Sequence, residues 1–292
     1  MNRKFCIIIN PKAGKGKTAK KIPILKDYIS TIKDTKFDLY FTEYGSHATE
    51  LAKTHAPNYD AVIAMGGDGS INEVLRGMVG TETVMGIIPE GRGNDFARVL
   101  DFHEDIKETL DKILHFQTKI IDVGKIDDRY FMNGVGIGFD GYVNERNFNR
   151  KVIKGPSSYY LSLLECLVLW KPMKMQITVD GNAIPAESVF LTAIGNGNYC
   201  GGGLNLNPYA EIDDGFLDLC VVNNISKFKI IKNLSKLKDG TIDSLDEVQI
   251  IKAKEIVISC DGKMPSHYDG ELYYPKGEVK LQVVEKAIEI IY

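Results

Sequence analysis

The sequence has no apolar run approaching the ~20 residues that a membrane-spanning helix requires, which argues against a helical membrane protein. It has no excess of either charge. Lys and Arg number 36 against 39 Asp and Glu, a net −3, so no global basic field points to nucleic acid. It has no C-x-x-C pair. Five scattered cysteines (Cys6, Cys166, Cys200, Cys220 and Cys260) lie mostly in apolar runs and read as reduced, buried thiols of a cytoplasmic protein. The five histidines fall at no zinc-finger spacing, and neither internal repeats nor low-complexity segments occur. The opening residues read as a strand rather than a signal peptide. What remains, 44% hydrophobic and 26% charged residues over 292 positions, suits an ordinary globular core in two domains or one large one.

The first third alternates. Strand-like runs at 5–9, 37–42, 60–65 and 83–88 are separated by helical patterns at about 15–33, from Ser46 (as cap) to His55, from Ile71 to Met78, and at 94–100 and 104–116. Ile71, Val74, Leu75 and Met78 form an i, i+3, i+4, i+7 stripe. Strands alternating with helices predict a parallel sheet covered on both faces. After about residue 120, short strands with glycine and Asp-Gly punctuation predict a β-sandwich or barrel. The expected division is therefore an α/β domain over 1–124 and a β-sandwich domain over 125–292.

Three glycine-rich loops each follow a strand and open a helix, the arrangement that favours bound anions. The first, "NPKAGKGKT", is no P-loop, because Pro11 stands where G-x-x-x-x-G-K-[ST] needs its first glycine. It does match G-x-G-x-x-A through Gly14, Gly16 and Ala19, with Glu43 near the spacing of a ribose-binding acid. The second, "AMGGDGSINE", sets Asp68 among Gly66, Gly67 and Gly69, with the Ser70 hydroxyl following. A carboxylate beside a polyphosphate calls for a cation between them, so Mg²⁺ is expected; the competing reading is a tight turn with a solvated aspartate. The third, "IPEGRGNDFARVL", carries Asn94 as a helix cap, and Asp95 as either a first-turn acid or a member of the metal network.

"NPKAGKGK", "GGDGSINEV" and "IPEGRGNDFAR" resemble the three signature loops of the diacylglycerol kinase catalytic family, most closely its soluble bacterial lipid kinases. Sphingosine and ceramide kinases share these loops, and NAD kinases are more distantly similar. The resemblance runs over nearly the whole chain, with later echoes in "FMNGVGIGFDG", "NPYAEIDDGFLDL" and "HYDGEL". It implies an NAD kinase/diacylglycerol kinase-like α/β nucleotide-binding domain followed by a β-sandwich, and an ATP- and Mg²⁺-dependent kinase acting on the hydroxyl of diacylglycerol or a related lipid. It implies ATP contacts from Asn10, Pro11, Gly14, Lys15, Gly16, Thr42, Gly66, Gly67, Asp68, Gly69, Ser70, Ile71, Asn72, Gly91, Arg92, Asn94 and Asp95. Ser70 replaces the usual threonine, and Arg92 replaces a threonine or serine and could instead pair with a phosphate.

The resemblance also places the general base in Asp269-Gly270-Glu271, with Glu271 favoured as base and Asp269 as its orienter, alongside Asp68 in catalysis. It suggests a structural Mg²⁺ at Asp214 with Glu211 and Phe216; an Asp-Gly turn without metal is the other reading. Asp122 either joins the Asp68 network or is a strand-end acid. The 156–171 segment, with Tyr159, Leu163, Leu167 and Trp170, reads as a helix covering the sandwich, or else as a wall of an acyl pocket or a membrane-touching edge. Ser226 to Lys238 reads as one basic amphipathic helix whose lysines face solvent or anionic lipid. A cytoplasmic protein peripherally attached to a membrane follows, with a lipid partner, no nucleic acid, and a homo-oligomer compatible with the chain. A soluble-substrate kinase resembling NAD kinase and a non-catalytic nucleotide sensor are the alternatives.

Overall fold

The computed structural model of the protein describes residues 3–149 and 156–292, with side chains for all of these except Asn149 and 156–162. The chain runs β1 (Arg3–Ile9), α1 (Ala13–Ser30), β2 (Thr35–Phe41), α2 (His47–His55), β3 (Ala61–Gly66), α3 (Asp68–Met78), β4 (Val84–Pro89), α4 (Asp95–Val99), α5 (Ile106–His115) and β5 (Thr118–Ile126). It continues through β6 (Arg129–Phe131), β7 (Gly134–Gly138), α6 (Phe139–Asn149), α7 (Pro156–Leu169), β8 (Met175–Val179), β9 (Asn182–Ile184), β10 (Val189–Gly195), β11 (Tyr199–Cys200) and β12 (Leu204–Asn205). β13 (Leu217–Asn223), α8 (Lys227–Lys232), α9 (Leu234–Asp239), β14 (Val248–Ala253), β15 (Glu255–Cys260), β16 (Ser266–Tyr268), β17 (Glu271–Tyr273) and β18 (Glu278–Ile291) complete it.

Contacts divide the chain into two units. The first holds Met1–Val123 together with two later pieces, Gly201–Gly203 and Val284–Tyr292. Its sheet has the order β2-β1-β3-β4 with all pairs parallel. β3 and β4 are buried at every position, as is Phe5–Ile9, which is why these strands read as continuous apolar runs rather than alternations. The Ile71, Val74, Leu75 and Met78 stripe of α3 is buried, and α3 packs on α2 while α1 packs on α5. In an open parallel sheet the crevice for ligands lies beyond the carboxyl ends of the strands. All three glycine loops leave those ends, after β1, β3 and β4.

The second unit, Gly124–Cys200 and Leu204–Val283, is an antiparallel sandwich. One sheet has the order β14-β13-β10-β7-β16-β17; the other pairs the first half of β18 with β15, then β8 and β9. Ile137, Ile177, Leu219, Ile256, Ile258 and Leu281 meet in the core between them. A second apolar cluster gathers Phe139, Val143, Cys166, Leu167, Trp170, Phe190 and Cys220. Leu167 therefore belongs to a helix covering the sandwich, and Trp170, directly after that helix, packs in the same cluster. On the same helix Leu164, Val168 and Leu169 are exposed; the Tyr159 side chain lies outside the described residues.

Three local expectations are corrected. Ser46 does not cap α2: it sits in the left-handed region, and no side-chain cap bond forms. Side-chain caps form instead on α5, where Asp105 accepts from the Lys107 and Glu108 N–H groups, and on α8, where Ser226 accepts from the Lys229 N–H. The 226–238 segment is not one helix but two, α8 and α9, broken at Asn233. Lys229 there is paired with Glu247 and Lys236 donates to Ser244, so those lysines are not a uniformly solvated face. Among the described residues no cysteine is disulfide-bonded; Cys6, Cys166 and Cys220 are buried and Cys200 and Cys260 partly so. Burial pushes the Cys6 and Cys220 thiols up to about 12, so they are inert at neutral pH.

Candidate active site

The first loop is shaped by three successive left-handed residues, Gly14, Lys15 and Gly16, so the regular part of α1 begins only after them. The Asn10 carboxamide holds the loop's entry by accepting from the Lys12 N–H and donating to the Ser70 hydroxyl of the second loop at 2.8 Å. Thr42 is tied alongside through its N–H to the Ile9 carbonyl. Lys15 is exposed and Pro11 half-buried.

The second and third loops touch backbone to backbone. A Cβ on Gly91 would lie 2.8 Å from the Gly67 Cα and 2.6 Å from Asn94 Oδ1, so this crossing admits only glycine. The first loop closes on the third in the same way, Gly14 lying against the Glu90 carbonyl. The structure thus brings together the three loops, which lie far apart in sequence. Ser70 and Gly69 open α3 beside them, whereas Ile71 and Asn72 turn their side chains into the interior. Arg92 is exposed.

Asp68 occupies the middle of this arrangement. Its carboxylate accepts the N–H of Asn94 and the N–H of Asp95, each at 3.0 Å, so it caps α4 from another element. Asn94 does not make the expected cap: it is left-handed, and its side-chain oxygen accepts from the Gly91 N–H instead. Asp95 is buried and accepts from Gly202 at 3.1 and 3.0 Å and from Gly203 at 2.8 Å, which fixes that short excursion in the first unit. Asp122 accepts from the Lys286 N–H at 2.7 Å. Glu90, not singled out by the sequence, is buried and paired with Lys21 at 2.8 Å. Burial nevertheless holds its carboxyl above the usual range, against the pull of Lys21. Its signal was only a glutamate ending a continuous apolar strand.

In the second unit Asp269-Gly270 is a two-residue hairpin turn with φ of 43° and 82°, joining β16 to β17 with Tyr268 opposite Glu271. The Asp269 carboxylate accepts the N–H groups of Met132, Asn133 and Gly134 at 2.7 to 3.0 Å. Glu271 is half-buried and accepts from the hydroxyl of buried Tyr268 at 2.7 Å. At the other acidic loop, Asp214 accepts the Phe216 N–H and pairs with Lys252. Glu211 is exposed. Neighbouring Asp218 is buried with no hydrogen-bond partner on either oxygen among the described residues, and burial pushes its carboxyl up to about 6. Among the described residues no three His, Cys, Asp or Glu side chains cluster in a way that could hold a metal by themselves.

A parallel sheet with three interlocked glycine loops at its carboxyl edge, on a chain that continues into an antiparallel sandwich, defines the architectural class to which the protein belongs. The model of the diacylglycerol kinase catalytic domain matches residues 4–126. The model described as the YegS C-terminal NAD kinase β-sandwich-like domain matches 133–292. A protein of Staphylococcus saprophyticus named diacylglycerol kinase is 32% identical over 277 residues, covering 93% of this chain and 90% of its own. Another of that name from Staphylococcus aureus strain MRSA252 is 33% identical over 298 residues, covering 99% and 92%. A crystal structure of a diacylglycerol kinase from Bacillus anthracis superposes with a TM-score of 0.74 at 26% identity, over 99% of this chain and 97% of that one. The chain belongs to the diacylglycerol kinase family. No helix among the described residues is long and apolar enough to cross a membrane.

Proposed function

We propose that the protein transfers the γ-phosphoryl group of ATP to the hydroxyl of diacylglycerol or a closely related lipid alcohol. The observation that carries this is the mutual locking of the three glycine loops, Gly14 on Glu90 and Gly67 on Gly91, at the N-terminus of α3. Backbone N–H groups and a helix terminus aimed at one spot are what a polyphosphate requires. Mg²⁺ neutralises phosphate charge when bound. Asp68 and Asp95 suit it. A Cβ on Gly93 would lie 3.0 Å from Asp68 Oδ2 and 3.1 Å from Asp95 Oδ2, so the missing side chain leaves a cradle between two carboxylates. Mg²⁺ characteristically takes one or two carboxylates and fills its remaining positions with phosphates and water.

Glu271 is the proton acceptor in this reading. As the lipid hydroxyl oxygen bonds to the γ-phosphorus, the bond to the β–γ bridging oxygen breaks, ADP leaves, and the hydroxyl proton passes to the Glu271 carboxylate. The hydrogen bond from Tyr268 supports the role by orienting that carboxylate. Asp269, with three backbone N–H groups on its oxygens, is the anchor of the turn rather than a second base. The 211–216 loop fits a structural cation through Asp214, since neither oxygen of the buried Asp218 carboxylate beside it has a hydrogen-bond partner among the described residues. Docking on an anionic membrane surface is part of the same reading, supported by the exposed Phe228 and Ile231 of lysine-bearing α8.

The test is labelled ATP with mixed membrane lipids, with products identified by mass, and a parallel reaction with NAD. A phosphorylated lipid supports the proposal. Label in NAD alone would replace it with the soluble-substrate reading, and ATP binding without transfer would leave a sensor.

A further inference from the structure

The turn that carries Glu271 is held from a side that neither glycine loops nor acid motifs explain. Asp140 and Asn144 stand at i and i+4 on one face of α6. Asn144 donates to the Gly270 carbonyl at 2.9 Å. Asp140 Oδ2 lies 2.9 Å from His267 Nε2, and His267 Nδ1 faces the Gly270 N–H at 3.4 Å. Gly270 is therefore gripped at both its carbonyl and its N–H, one residue before Glu271. A Cβ at Gly136, the register partner of His267, would lie 2.2 Å from Asp140 Oδ2 and 2.5 Å from His267 Nε2. Glycine at 136 is what allows imidazole and carboxylate to meet across the strand.

The contacts also set the tautomer. A ring nitrogen that faces an N–H donor must present a lone pair, so the proton resides on Nε2 and is donated to Asp140. The carboxylate thereby fixes which ring nitrogen is left to accept from Gly270.

We propose that Asp140 and His267 form a positioning pair for phosphoryl transfer, fixing the Gly270 backbone and through it the Glu271 carboxylate. This rests on the reading in which Glu271 takes the lipid proton. Neither residue is assigned contact with substrate. Asp140 acts on His267, His267 on Gly270, and Gly270 on its neighbour. Asn144 and the Asp269 anchor hold the same turn independently, so loss of the pair shifts the turn without dismantling the hairpin.

The experiment compares Asp140→Asn, Glu271→Gln and the double variant of the full chain, with ATP and diacylglycerol dispersed in phosphatidylglycerol vesicles. Histidine side-chain ¹⁵N spectra are recorded on each. Asp140→Asn keeps the shape but removes the charge that holds the proton on Nε2. The wild-type spectrum should show one neutral histidine locked as the Nε2–H tautomer, and that signature should be lost in Asp140→Asn. Misplacing a reacting group by about 1 Å costs roughly 10²-fold, and that loss should appear in kcat with KM for ATP unchanged. In the Glu271→Gln background the same substitution should cost less than about threefold, because groups acting as one unit are not additive. His267→Phe, which keeps a planar ring but drops both the donor for Asp140 and the acceptor for Gly270, should reproduce the kcat loss and serves if Asp140→Asn fails to fold. An equal loss from Asp140→Asn in both backgrounds, or a wild-type kcat in both pair variants, overturns the proposal while leaving the kinase reading intact. Full activity of Glu271→Gln overturns the base assignment and the pair's role together.

Discussion

Asp68→Ala should cost the protein stability as well as turnover, and the two losses can be separated. The Asp68 carboxylate accepts two backbone N–H groups at the start of α4, on residues that are themselves buried. Hydrogen bonds to a charged acceptor contribute about 1.5–3 kcal/mol each, and Asp68 is half-buried, so the lower figure applies. Removing both acceptors strands two helix-terminal donors and should cost about 3 kcal/mol. For a unit of this size that lowers Tm by roughly 10 °C. Asp68→Asn retains one acceptor oxygen and turns an amide NH₂ toward the other donor, so about half the loss is expected. Both variants should lose lipid phosphorylation under conditions where each is folded, because neither carries the charge required opposite Mg²⁺. Thermal melts and labelled-ATP turnover on the same samples provide the measurements. An Asp68→Ala protein that melts with the wild type would refute the capping argument. One that turns over normally at a temperature where it is folded would remove the carboxylate from the reaction.

Glu271→Gln should lower kcat by about 10²–10⁴-fold with ATP affinity, measured by calorimetry, nearly unchanged. Asp269→Asn should instead lower the melting temperature, by about 2 kcal/mol of stability, because an NH₂ replaces an acceptor for one of three backbone donors; an unchanged melt would count against its anchoring role. Glu90 is protonated more readily in the folded chain than in the unfolded one, so its contribution to stability falls as pH rises from its ordinary carboxylate value through the raised folded value. Lys21→Met should steepen that fall and cost about 3 kcal/mol at neutral pH, measured by denaturant melts at pH 4 to 7. Chelation with EDTA should lower the melting temperature of the wild type but not of Asp214→Ala; equal shifts in both would remove the cation from that loop. Turnover should rise on anionic vesicles and fall with salt, screening acting over about 8–10 Å, and equal rates on neutral and anionic vesicles would sink surface docking.

Much of the architecture was legible because it follows from patterns of neighbouring residues. Apolar runs such as Phe5–Ile9 can be satisfied only by strands covered on both faces, and the α3 stripe only by a helix with one buried side. The glycine loops were legible because close backbone crossings and left-handed turns demand glycine in a short stretch. The partners of the acids were not. Asp68 finds its N–H donors 26 and 27 residues away, Asp95 at 107 and 108, and Asp269 at 135 to 137. A motif says that a carboxylate is needed, and only the fold says how many backbone groups already use it. The same distance hid Asp140 from His267, 127 residues on. Local rules also failed where backbone conformation overrode them. Ser46 and Asn94 have capping side chains but left-handed backbones, and a periodic lysine pattern did not keep Ser226–Lys238 one continuous helix through Asn233.

The first unit takes its last pieces from the far end of the chain. Ile288, Ile290 and Ile291 are buried in it, and Ile290 sits opposite Met85 on β4. During synthesis β1 to β4 emerge early but cannot cover that edge until residue 291 has left the ribosome, after all of the sandwich has been made. The early unit must wait with an exposed parallel edge, a template for pairing with other chains. Its contacts are correspondingly long in sequence, which slows closure. A chain interrupted anywhere within the sandwich would therefore release an unfinished first unit, so premature termination late in translation disables that unit as effectively as damage to its own loops.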